Sequence, residues 1–319
     1  MSDEALPDVL KPEFTRQYGG QIGHRLIDPV SIDSRFYLTE FFPPDVYPND
    51  HDRLLEIAHT PGFVYSGLNN YYDTDTITNP PSLKKVPVEE NVRMYLIDEA
   101  MPAQRAMVPG RYFAIRDAQA GGQVVGAQEY IYHPARDGQP EQWERASFVA
   151  PEYQGQHLAS KALVRSVPLA MRELGITDGL MVTIHPDNIA SQKVMQKAGF
   201  QRTGRRWEAG HVHNDLGSAV VIYPDAREEW VVTQEHLKEH IRALNQNLFP
   251  GSPDPFLTDG IAKGGKKRAD ISTKEGRENS QNHEESKHRW RLAGRGAHGW
   301  SGSIEKENTS SGKGGNILG

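Results

Sequence analysis

The sequence predicts an α/β domain: a mixed, mostly antiparallel sheet with helices on its flanks. Three observations carry that expectation. Two runs rich in β-branched and aromatic residues, 111–116 (RYFAIR) and 123–132 (QVVGAQEYIY), flank Ala120, Gly121 and Gly122, the pattern of a hairpin. Two strand-like stretches, 142–149 and 180–184, are each followed by a segment of helical period, the alternation of an α/β sheet. Each of those helical segments stops at a glycine, Gly175 and Gly199.

In chain order, Gly23–Ile27 reads as a short first strand. Residues 49–59 place Leu54, Leu55 and Ala58 on one helical face, with Asn49 or Asp50 as N-cap. Pro61–Pro87 is rich in Tyr, Asn, Thr, Asp and Pro, and reads as a long irregular loop able to shape a binding site. Pro87 disfavours helix just before it, so the next helix starts near Glu89 and takes in Val92, Leu96 and Ile97. The hairpin follows, then a strand over Gln142–Val149. From about His157 to Leu174, apolar residues recur at helical spacing, with a kink expected at Pro168 because its ring removes a backbone donor. Leu180–Ile184 is an apolar strand, Ile189–Ala198 a short helix, Ser218–Tyr223 a late strand. Arg227–Leu248, with Trp230, Val231, Leu237, Ile241, Leu244 and Leu248, reads as a long terminal helix that packs on the domain or on a second subunit of a homodimer.

Composition sets the boundaries. The 319 residues suffice for a sizeable core, yet only 37% are hydrophobic and the mean hydropathy is −0.65, so part of the chain is expected to stay unfolded. From Gly251 onward Gly, Ser, Asn, Lys, Arg and Glu dominate, and residues 251–319 are read as a disordered polar tail. Residues 1–20, acidic at the start and broken by Pro7 and Pro12, are read as a flexible N-terminus, and 21–250 as the folded domain. A net charge of −6 gives no polyelectrolyte signature for nucleic acid. No apolar run approaches a membrane span, and the start lacks the basic and apolar parts of a signal peptide. A soluble, cytoplasmic protein is the expectation. The absence of cysteine excludes disulfides, thiolate metal sites and a cysteine nucleophile.

The chemistry points to two turns. In the first, Val149-Ala150-Pro151-Glu152-Tyr153-Gln154-Gly155-Gln156-His157-Leu158-Ala159-Ser160, a strand ends, a polar loop follows and a helix begins. The first amides of a helix, with the positive end of its dipole, suit a phosphate or pyrophosphate, and Gly155 and Ala159 let the backbone come close. In the second, His185-Pro186-Asp187-Asn188-Ile189-Ala190-Ser191, another helix opens directly after a strand. Asn188 is also a natural N-cap for that helix.

Together these residues resemble the GNAT superfamily of acyl-CoA-dependent N-acetyltransferases. Four matches fall in family order: Glu144 to Pro151 is similar to the "E…V-x-P" strand, Gln154–Ala159 to the [QR]-x-x-G-x-[GA] pyrophosphate loop, Pro186–Ser191 to the "P-x-N-x-x-S" turn, and Lys197–Phe200 to the "K-x-G-F" helix exit. The resemblance implies two splayed parallel central strands that admit the pantetheine arm, and acetyl-CoA as cosubstrate without a metal. It implies that Phe148 and Val149 offer backbone groups to that arm. Gln154, Gly155, Gln156, His157, Leu158, Ala159 and Ser160 would line the pyrophosphate, with Asn188 and Ser191 on the pantetheine or phosphate side. Glu144 stands at the family's glutamate position and is the candidate general base. Glu129 is the weaker alternative; Tyr130, Tyr132, Tyr223 and His185 stand as minor candidates for proton transfer.

Two positions depart from the pattern. His157 occupies a loop position where the family usually has glycine, either contacting phosphate as a cation or pointing outward. Met195 stands where many members carry a tyrosine that protonates the leaving thiolate, which resembles the branch holding ribosomal-protein N-terminal and small-molecule acetyltransferases. His211 and His213 share one face of an extended segment but have no third ligand. The implied function is acetyl transfer to an amine of a small molecule by direct attack in a ternary complex. A protein or peptide amine, or a non-catalytic acyl-CoA sensor, are the alternatives. Pro61–Pro87 and Glu208–Leu216 are the expected acceptor walls.

Overall fold

The computed structural model describes residues 6–22, 26–60, 71–73, 86–100, 110–133, 140–208, 212–215, 219–222 and 225–257. The chain divides into Met1–Asp259 and Gly260–Gly319, the second wholly outside the described residues.

Helix α1 (Pro12–Ile22) follows a 3-10 turn at Asp8–Leu10. Strands β1 (Val30–Ser31) and β2 (Phe36–Thr39), helix α2 (Asn49–His59), strand β3 (Tyr71–Asp73) and helix α3 (Val88–Met94) come next. The last of these widens into a π-helical turn at Tyr95–Ala100. The hairpin is β4 (Gly110–Asp117) and β5 (Gln123–His133), and β6 (Gln142–Val149) lies beside it. After β6 come α4 (Leu158–Leu174), β7 (Leu180–Ile184), α5 (Ile189–Lys197) and β8 (Gln201–Trp207). β9 (Val212–Asp215), β10 (Ala219–Ile222), β11 (Arg227–Val232) and α6 (Gln234–Leu248) complete the order.

Eight strands form one sheet in the order β1-β2-β4-β5-β6-β7-β11-β8, antiparallel throughout except for the parallel pair β6–β7; β3-β10-β9 make a small second sheet. The expected fold class is therefore the observed one. Alternation along β5 and β6 sorts the side chains onto two faces. Tyr130 and Arg145 face α4 and α5, where Tyr130 Oη lies 2.8 Å from Ser166 Oγ and Arg145 reaches Gln128 and the sulfur of Met195. Glu129, Glu144 and Phe148 lie on the opposite face, with Tyr95 bonded to Glu129 and its ring against Phe148.

Four expectations need correction. Residues 8–22 are not a flexible lead-in: Val9, Leu10 and Tyr18 are buried with Phe42, the ring of Phe14 meeting Phe42 edge-on at 5.0 Å. Arg227–Leu248 is a strand and then a helix. The β-rich run REEWVV pairs between β7 and β8, and Thr233 caps α6 by accepting from the His236 amide. The strand expected at Gly23–Ile27 falls partly outside the described residues; Leu26 and Ile27 are not in a strand, which first forms at Val30. Gly251–Leu257 is not part of a loose tail, for Asp254 bonds Arg242, Pro253 accepts from Asn245, and the Arg242 guanidinium lies over the Phe256 ring. Residues 258–319 lie outside the described residues.

Candidate active site

The site is organised by the one parallel pair. Among the described residues, β6 and β7 pair at a single position, Glu144 with Met181, and not beyond it. Toward their C-terminal ends the strands leave a cleft, and those ends lead into the two turns singled out in the sequence. Crevices at the carboxyl ends of parallel strands are the usual ligand sites of α/β sheets. Phe148 lies four residues beyond Glu144, roughly 13 Å along the strand.

At the open end, the chain leaves Val149 through a 3-10 turn at Pro151–Tyr153. Tyr153 anchors that turn. Its hydroxyl donates to Asp117 at 3.0 Å, its ring packs edge-on against Phe36, and Arg35 grips the same carboxylate through two donors. Burial pushes the Asp117 carboxyl up, but the hydrogen bonds from Arg35, Tyr153 and the Gln119 amide prevail and hold it below its ordinary value. Gln154 then donates its side-chain amide to the Val149 carbonyl, closing the loop on itself.

Gly155 (φ 77°) and His157 (φ 59°) both adopt the left-handed conformation, and His157 is the non-glycine residue at positive φ among those described. This is the physical reason a glycine suits that position: the left-handed region crowds any Cβ, at a cost of about 1–2 kcal/mol. His157 is exposed and serves as N-cap of α4 without a side-chain capping bond. The first helical amide to find an acceptor is that of Lys161, on the His157 carbonyl, so the amides of Leu158, Ala159 and Ser160 begin the helix with no partner within it. Leu158 and Ser160 point into the domain, leaving Gln154, Gly155, Gln156 and His157 as the exposed rim. Lys161, one residue further, is held by Asp33 at 2.7 Å.

At the second turn Asn188 Oδ1 accepts from the Ser191 amide at 3.1 Å and caps α5. Its carbonyl end is committed to the helix; the amide nitrogen is the group left to reach a ligand. His185 is engaged in the same turn, its Nδ1 accepting from the Asp187 amide.

At the closed end Glu144 is buried, 2% exposed, with Thr183 Oγ1 donating to Oε1 at 3.1 Å and His133 Nε2 lying 2.8 Å from Oε2. The Thr183 bond joins β6 to β7 just past their only pairing position. At the other end, Gly126 on β5 stands opposite Val149. A Cβ there would stand 2.5 Å from the Phe148 carbonyl and 3.2 Å from Val149 Cα, so glycine lets β5 close against β6 where the cleft opens.

Phe148, Val149 and residues 154–160 thus lie at or after the C-terminal end of β6, Asn188 and Ser191 after that of β7, and Glu144 at the position where the two strands pair. Several minor candidates fall elsewhere. Tyr130 lies on the α4 face with its hydroxyl on Ser166, and burial pushes it up to about 12. Met195 is buried beside Arg145. Tyr132 donates to Glu141, whereas Glu129 stays on the Glu144 face, opposite Ala146, and accepts the Tyr95 hydroxyl at 2.8 Å. Tyr223, His211 and most of the expected acceptor walls lie outside the described residues. Sequence reasoning missed His133, Thr183, Tyr153 and Asp117, because each matters through a partner far away in the chain.

Comparison with known proteins agrees with this geometry. Residues 49–201 match the family model of the acetyltransferase (GNAT) domain.

The chain carries this match over 153 of its 319 residues, from α2 to the start of β8 and so across both turns.

Among solved structures it is similar to RimJ of Mycobacterium smegmatis in complex with CoA-disulfide (14% identity, 70% of this chain and 97% of that one, TM-score 0.46). It is similar also to a GCN5-related N-acetyltransferase from Brucella melitensis (15%, 70% and 86%, TM-score 0.45). A third is the ribosomal-protein-S5-alanine acetyltransferase of Vibrio fischeri (12%, 66% and 98%, TM-score 0.42). No curated protein matches the sequence significantly. Among the described residues, no helix is long and apolar enough to cross a membrane, and no three His, Asp or Glu side chains gather as a metal site.

Proposed function

We infer that this GNAT enzyme transfers the acetyl group of acetyl-CoA to an amine of a small molecule, by direct attack within a ternary complex. The observation that carries the reading is the cleft between β6 and β7, with free helix-start amides at its mouth and a buried carboxylate at its floor. The amides of Leu158, Ala159 and Ser160, with the exposed rim Gln154–His157, receive the pyrophosphate. The pantetheine arm lies along Phe148 and Val149, with Asn188 and Ser191 on its other side. The strand length between Phe148 and Glu144 brings the thioester beside the carboxylate.

Glu144 takes a proton from the acceptor's ammonium, and the freed amine attacks the thioester carbonyl. The oxyanion is met by backbone N–H groups of the split strand. Collapse breaks the C–S bond, and the second proton of the attacking nitrogen passes to the departing sulfur, which yields the amide and the CoA thiol. A thiolate is a stable enough leaving group that transfer does not require the tyrosine replaced by Met195. The burial of Glu144 supports a slender primary amine over a bulky one, because only a narrow group reaches a carboxylate so enclosed. Thiol release from acetyl-CoA, measured with polyamines, amino acids, aminoglycosides and basic peptides, tests the reading. Turnover confined to the peptides would move the acceptor to a protein amine, and binding without thiol release to any acceptor would make the chain a sensor.

A further inference from the structure

A base that takes a proton in every turnover must lose it before the next. Glu144 is poorly placed to do so alone, being 2% exposed and fixed by Thr183 on one oxygen. Its other oxygen lies 2.8 Å from His133 Nε2. The register makes this contact a consequence of the sheet: Glu144 sits opposite Ile131, and His133 two residues on is on the same face, opposite Gln142. The His133 side chain is 17% exposed, against 2% for Glu144, so the ring lies between the carboxylate and solvent.

We propose that His133 relays the proton from Glu144 to solvent during acetyl transfer. The proposal rests on Glu144 being the general base. An N–H bond of the acceptor ammonium breaks and an O–H bond forms on Glu144. That proton crosses the 2.8 Å contact to Nε2 of the neutral imidazole, which restores the carboxylate and leaves an imidazolium. The imidazolium gives a proton to water at its exposed edge, and exchange with water resets the tautomer. One proton has moved from acceptor to solvent, and nothing has been oxidised or reduced.

Among the described residues, the charged groups sharing this face are Glu144 on β6, Glu129 on β5, Glu229 and Arg227 on β11, and Arg205 on β8, which pairs with Glu229. His133 acts through Glu144 and is thus a positioning and relay residue, so loss of activity alone would not prove the role.

The experiment compares wild type, His133→Ala, His133→Gln and Glu144→Gln, each shown to melt cooperatively, by steady-state thiol release across about pH 5 to 8, where imidazole changes charge. For His133→Ala the expected result is a fall in kcat of about tenfold or more, with KM for acetyl-CoA unchanged. The acidic limb of the kcat profile is also lost, and kcat partly recovers in added imidazole. His133→Gln, which keeps a hydrogen bond but cannot relay, is expected to stay slow. An unchanged kcat in His133→Ala, full activity in His133→Gln, or a loss with neither a changed pH profile nor imidazole rescue would overturn the relay while leaving Glu144 as base. Full activity in Glu144→Gln would remove the base itself, and the relay with it.

Discussion

His157→Gly separates the backbone role of His157 from any role of its ring. The residue holds φ 59° and ψ 14° as N-cap of α4, with no side-chain capping bond. Removing the Cβ relieves about 1–2 kcal/mol of left-handed crowding. The glycine also loosens the unfolded chain, which costs about 0.4–1 kcal/mol. The net expectation is a gain between zero and about 1.5 kcal/mol, or a Tm raised by at most a few degrees at about 2–4 °C per kcal/mol for a domain of this size. His157→Ala is the control: it keeps the Cβ and the crowding, so its Tm should match wild type. Thermal melting of the three proteins, followed by CoA titration calorimetry, reads both consequences. If the imidazole contacts the phosphates, both variants lose CoA affinity equally. A glycine variant less stable than the alanine variant would refute the strain argument.

Two further outcomes follow from the mouth of the cleft. Tyr153→Phe removes the hydroxyl that donates to the buried Asp117 carboxylate, and should cost about 1–3 kcal/mol by chemical denaturation while raising KM for acetyl-CoA more than it lowers kcat. Asp117 and Asp33 are held below their ordinary values; for both, burial works against the shift, and for Asp33 the Lys161 bond and the Arg35 and Phe36 amides outweigh it. The unfolded chain therefore takes up these protons first. Their stabilisation is complete above an unfolded carboxyl pKa of about 3.9 and is lost as pH falls through the lower folded values, so acid melts should steepen below about pH 4 and do so less in Asp117→Asn.

Much of the site was legible because its parts are local. Helix starts, glycine stops and the Pro186–Ser191 turn depend on residues within one or two turns of one another, and α2, β6 and β7 formed at the bounds their patterns gave. The left-handed His157 could be anticipated as a departure, though only the dihedral explains it. What escaped notice was non-local or ambiguous. Val9, Leu10 and Tyr18 look like scattered apolar residues in an acidic lead-in until Phe42 and Phe14 close around them. REEWVV satisfies a helical period as readily as a strand one, and pairing with β7 and β8 decided it. The Glu144–His133 and Tyr153–Asp117 contacts join residues 11 and 36 positions apart, and sequence spacing carries no trace of them.

The proposed transfer depends most on Glu144 acting at the floor of the cleft. The direct measurement is thiol release from acetyl-CoA with the best amine of the panel, comparing wild type with Glu144→Gln at saturating substrates. The predicted result is a kcat lower by about 10²–10⁴-fold, with acetyl-CoA binding unchanged by calorimetry. A Glu144→Gln enzyme that turns over at the wild-type rate would contradict it.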